Sequence, residues 1–95
     1  MKKYPVELGS VVLSTAGRDE GRMFLVISEV DEDFVMIANG QLRKMDHLKK
    51  KRRKHLKPTG AVVSELRERL ENGQKVEDYE LRSWLLMEEE KLVKV

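Results

Sequence analysis

The sequence predicts a β + α protein: a small β-barrel followed by a C-terminal helical hairpin. Three observations carry this. Five short strand-like segments fall within the first 60 of 95 residues, the density of a small closed or nearly closed barrel. After Gly60 the apolar period lengthens from that of a strand to that of a helix. Between the two lies R-K-M-D-H-L-K-K-K-R-R-K-H-L-K, Arg43 to Lys57, with nine Lys/Arg against the single acid Asp46.

Val11-Val12-Leu13 is the first β-rich run and Met23 to Ile27 the second. Asp31-Glu32-Asp33 supplies a turn of acids before the third run, Phe34 to Ile37. Asn39-Gly40 then favours a tight type I′ hairpin, so a fourth strand is expected to start near Gln41 or Leu42. The pairs His47-Leu48 and His55-Leu56 indicate an arm that leaves the body and a fifth strand that returns. Phe24 and Phe34 sit inside apolar runs and are expected in the core.

From Gly60 onward Val62, Leu66 and Leu70 recur every four residues with Val63 beside them, the face of an amphipathic helix. Asn72-Gly73 stops it. A second helix is expected from Glu77 or Asp78, acids suited to a helix N-terminus, with Leu81, Trp84, Leu85 and Leu92 as its apolar face. The expected division is 1–60, a barrel with a basic arm, and 61–95, a helical extension packed on it, forming one domain overall.

The net charge of +2 conceals a dipole, because the 43–57 window carries +8 and each flank −3. Such a block repels itself and calls for a polyanionic partner, most commonly the phosphate backbone of nucleic acid. A solubility device would mix signs. K-K-K-R-R-K also resembles a nuclear-import signal. The absence of cysteine removes disulfides and thiolate metal sites. His47 and His55 with Asp46 alone make a poor ligand set, so no metal and no cofactor is expected. No P-loop and no pairing of a nucleophile with a base is legible, and enzymatic activity is not expected. Neither a signal peptide nor an apolar run of about 20 residues is legible, which leads us to expect a cytoplasmic, monomeric protein with no membrane association.

Residues 9 to about 37, G-S-V-V-L-S-T-A-G-R-D-E-G-R-M-F-L-V-I-S-E-V-D-E-D-F-V-M-I, resemble a KOW motif: an alternating apolar strand, a loop closed by a glycine, and a second apolar strand. Gly21 stands at the characteristic glycine. With the Asn-Gly turn, the basic stretch and H-L-K-P-T, the region to about residue 60 is similar to KOW-type ribosomal proteins of archaeal and eukaryotic large subunits. It is also similar to small stand-alone KOW proteins of bacteria. The resemblance implies an SH3-like barrel that binds RNA, commonly ribosomal RNA, with a role in translation or ribosome assembly. By position it implies Arg18 and Arg22 beside the RNA-facing loop, and Gly17 and Gly21 shaping it. It likewise assigns RNA contact to Arg43, Lys44, Lys49, Lys50, Lys51, Arg52, Arg53, Lys54, His55 and Lys57.

If five to eight of these cations engage phosphates, binding should fall with salt at a log–log slope of roughly −4 to −7. Without RNA the 49–54 segment is expected to be mobile. The scarcity of aromatics points to phosphate-dominated reading of structured RNA rather than base stacking. The alternative is a protein-interaction module of the transcription or translation machinery, with a partner held through the acidic C-terminal helices.

Overall fold

A computed structural model describes residues 5–93, the side chains of Leu92 and Val93 excepted. The Leu92 side chain, expected on the apolar face of the second helix, lies outside the described set. The elements run β1 (Ser10–Ser14), β2 (Met23–Glu29), β3 (Phe34–Ala38), β4 (Lys49–Arg52), a 3-10 turn (Arg53–His55), β5 (Leu56–Val62), α1 (Ser64–Glu71) and α2 (Asp78–Val93). The strands form one antiparallel sheet in the order β4-β3-β2-β1-β5.

The two outer strands are consecutive in sequence, and that curls the sheet. Four flat strand spacings of about 4.8 Å would hold β4 and β5 roughly 19 Å apart. The four steps from Arg52 to Leu56 reach at most about 14 Å. Register shifts between Ser10 and Val12 in β1–β5, and between Val26 and Ser28 in β2–β3, supply local bends. No β4–β5 ladder closes the sheet among the described residues.

Alternation along the strands divides the apolar side chains between two cores. Val12, Phe24, Val26, Val35, Ile37 and Leu56 fill one face of the sheet. Val11, Leu25, Ile27 and Ala38 face the other way and pack with Leu66, Val76, Leu81 and Leu85 of the C-terminal region. Trp84 packs against this second core, as expected.

Four expectations are corrected. Residues 41–48 form turns rather than a strand, because Met45 and Leu48 turn into the second core and the Met45 N–H donates to Asp78 Oδ1 at 2.7 Å. Asn39-Gly40 is not a type I′ turn, which needs positive φ at both residues, since only glycines adopt positive φ among the described residues. Instead Asn39 Oδ1 accepts the N–H groups of Gln41 and Arg43, each at 3.0 Å. Residues 60–62 still belong to a strand, and the helix begins at Ser64. Phe34 is half-buried and belongs to neither core.

The helix ends read as expected. Gln74 N–H donates to Arg69 O and Gly73 N–H to Leu70 O, a Schellman stop closing α1. At the start of α2, Glu80 accepts the Glu77 N–H at 3.1 Å and pairs with Arg69, which also binds Glu65 and lies over Trp84. The backbone bond from Glu77, then Arg69, holds the Glu80 carboxyl below its ordinary 4.5. Its stabilising effect is therefore full above the unfolded value and is lost as pH falls through the lower folded one. Glu80→Gln should melt below wild type near neutrality, with the gap narrowing in acid. Thermal melts between about pH 3 and 7 check this.

Candidate nucleic-acid interface

Six consecutive bases, Lys49 to Lys54, do not form an arm. Lys49–Arg52 is the edge strand β4, paired with β3 as Phe34↔Arg52, Val35↔Lys51, Met36↔Lys50 and Ile37↔Lys49, and the 3-10 turn continues it. The expectation of a mobile segment is corrected for a simple reason. The backbone is satisfied by β3, and side chains that alternate across a strand cannot all face solvent. Lys50, Arg52 and Lys54 are exposed, whereas Lys49 and Arg53 are half-buried and Lys51 is buried.

The inward cations are tied to the protein. Lys51 Nζ donates to Ala16 O at 2.9 Å, which fastens β4 to the β1–β2 loop. Arg53 donates to the carbonyls of Asp31 and Val6 and pairs with Glu29 at 3.0 Å, so it knots the strand end to the β2–β3 turn. Arg43 lies 4.0 Å from Asp19, a buried carboxylate of the β1–β2 loop. Three of the nine window cations thus have internal duties. Lys44, Lys49, Lys50, Arg52, Lys54 and Lys57 have no ion pair among the described residues. Except for Lys49 they are exposed.

The β1–β2 loop sits beside this strand. Thr15 N–H donates to His55 O, and Gly21 N–H closes the loop onto Ser14 O. Gly21 adopts φ +88° with open space around it, so its requirement is conformational. Gly17, at φ +79°, lies against the Lys51 ammonium. Arg18 and Arg22 are exposed. Asp19, an acid within this loop, is turned inward and buried. The structure therefore brings Gly17, Lys51, His55 and the Asp19–Arg43 pair together.

Asp46 and His47 project into solvent as an exposed pair at 3.2 Å, and the hydrogen bond from His47 lowers the Asp46 carboxyl. No group of three or more His, Cys, Asp or Glu gathers in metal-binding fashion among the described residues. On the turn side, Glu32 and Asp33 line a shallow groove with Arg52, Arg53 and Lys54 and bound the basic surface. No helix is long and apolar enough to cross a membrane among the described residues.

Sequence reasoning missed Phe34 as part of this surface. Lys50 Nζ lies 4.6 Å from its ring centre and Arg52 Cζ 4.9 Å. Parity sets Phe34 and Met36 on the face opposite Val35 and Ile37, but that face also carries buried Ala38 of the second core, so alternation alone does not mark Phe34 as surface. Charge on an edge strand also blunts sheet-to-sheet aggregation.

Lys51 separates the two duties within the run. Lys51→Met keeps the stem but removes the buried ammonium and its hydrogen bond to Ala16 O, so stability should fall by about 1–3 kcal/mol. RNA affinity and its salt slope should not move. Urea melts and filter binding measure the two quantities.

No family model matches the chain. Over 58 residues it is 32% identical to large ribosomal subunit protein eL14 of Desulfurococcus amylolyticus, a match covering 61% of this chain and 60% of that protein. The chain thus spans less than two thirds of the length of this relative.

Proposed function

We infer that this chain is an RNA-binding protein of the ribosomal KOW type, whose β4 edge docks on structured ribosomal RNA in translation or ribosome assembly. The observation that carries the reading is the set of six window cations without an ion pair among the described residues, three of them in alternation on the exposed side of β4 and the 3-10 turn. The similarity to a large-subunit ribosomal protein supports it. The curled five-stranded sheet supports an SH3-like barrel over residues 1–60, and the shared core supports residues 61–95 as an extension packed on it. On this reading the protein is a cytoplasmic, non-enzymatic monomer that needs no cofactor, and its relatives include small stand-alone bacterial KOW proteins.

The mechanism is charge neutralisation on a preformed surface. Lys44, Lys49, Lys50, Arg52, Lys54 and Lys57 take phosphates and release counterions. Arg52 adds a bidentate fork, and Arg18 and Arg22 extend the surface along the β1–β2 loop. Arg43, Lys51, Arg53 and His55 are engaged with the protein and contribute no phosphate contact. Five or six phosphate contacts give a log–log salt slope of about −4 to −5. Filter binding of purified ribosomal RNA across a salt series tests this. A slope near zero, or no binding at low salt, would sink the reading.

A second reading has an observation of its own. Tyr79, Leu86 and Met87 of α2 are 62%, 57% and 55% exposed, beside an acidic run at Glu88-Glu89-Glu90. This face suits a protein partner. Charge reversal on β4 would leave such an interaction intact while abolishing RNA binding.

A further inference from the structure

We propose that Phe34, with Lys50 and Arg52, forms a stacking site for an unpaired RNA base, so that the β3–β4 face takes a single-stranded nucleotide as well as phosphates. This rests on the RNA-binding reading and sharpens it. Phe34 is excluded from both cores, although the chain has only five aromatic residues. It occupies the same face of β3 as Ala38, which packs with the C-terminal region, and Met36, which is half-buried. Toward the β2–β3 turn this face is left to Phe34, with Val30 beside it, 46% exposed and hydrogen-bonded to Phe34 O.

The cations make this more than a half-buried ring outside the cores. Arg52 is its direct cross-strand partner and Lys50 its diagonal neighbour, and both charged groups sit within 5 Å of the ring centre, at 4.9 and 4.6 Å. An aromatic face attracts cations by its quadrupole, and a guanidinium also stacks on planar groups. The ring thus holds two otherwise floppy side chains in place before ligand arrives, which lowers the ordering cost of binding. A base entering here finds a ring and a guanidinium to stack on, with the Lys50 ammonium placed for the adjoining phosphate. Every base has a π-face, so the site is sequence-tolerant.

Two probes test this: a single-stranded oligoadenylate of roughly 10 nucleotides carrying one central 2-aminopurine, and a blunt RNA duplex of similar charge. Wild type should quench the 2-aminopurine on binding. Phe34→Leu should weaken single-strand binding by roughly tenfold and lose the quench. Its salt slope should be unchanged, because no phosphate contact is lost, and duplex affinity should fall far less. Phe34→Trp should keep both affinity and quench, and it serves as the reporter if the leucine variant folds poorly. Single-strand binding without quenching in wild type, or equal affinities for wild type and folded Phe34→Leu, overturns the stacking site and leaves the RNA reading standing. Binding of neither RNA by wild type overturns both.

Discussion

Alanine at Lys50, Arg52 and Lys54 together should weaken binding to ribosomal RNA by roughly two to three orders of magnitude near 0.1 M salt. Each lost phosphate contact removes close to one power of salt dependence, so the slope should become shallower by about 2 to 3. These three side chains are exposed and carry no ion pair among the described residues. Their truncation breaks no core contact, and the variant should melt close to wild type, having lost only exposed cation–π contacts on Phe34. The matched control is Lys51→Met, which removes a charge from the same run and should leave binding unchanged. Basic residues adjacent in sequence should therefore differ by orders of magnitude in their effect on RNA. A model in which the run acts as a uniform tail predicts equal effects. Fluorescence anisotropy on a labelled ribosomal RNA fragment, repeated at several salt concentrations, separates the two.

Gly40→Ala should be the most damaging small substitution for the fold. Gly40 has φ +79°, and an added Cβ would lie 2.3 Å from Asp78 O and 3.0 Å from Arg82 Cγ. The backbone has no room to yield, because Arg82 donates to Gly40 O at 2.6 Å and Asp78 holds the Met45 N–H. Left-handed strain of about 1–3 kcal/mol adds to the cost of prising the β3–β4 loop from α2. A loss of about 3 kcal/mol or more corresponds to a melting point lower by at least roughly 12 °C in a domain of this size. Gly21→Ala isolates the strain, since Gly21 has φ +88° but open space around it. The difference between the two variants in denaturant unfolding measures the clash.

The sequence made the outer framework legible and left its finer geometry hidden. Alternating apolar runs marked β1, β2 and β3, and the four-residue spacing with Asn72-Gly73 marked α1 and its stop, because both signals are local. β4 was misplaced for a physical reason: four consecutive bases show no hydrophobic alternation, although the strand alternates all the same. Reading Lys49 to Lys54 with a period of two would have turned Lys51 inward and Lys50 and Arg52 outward. Asn39-Gly40 carried a strong turn signal, but the Asn39 side chain captured two backbone N–H groups and a wider loop formed. That loop is fixed by contacts with α2, more than 30 residues away in sequence, and local pattern cannot reveal them. The same holds for Asp19, whose inward turn depends on Arg43, and for Phe34, which looks like core until the limits of helix coverage are known.

The most direct test of the account is recovery of the protein from native cell extract across a salt series, with sequencing of whatever RNA comes with it. The account predicts ribosomal RNA or ribosomal subunits at low salt, released as salt rises, and a sharp loss of both from the Lys50/Arg52/Lys54 alanine variant. A discrete protein partner with no nucleic acid, or ribosomal RNA retained equally by that variant, would contradict it.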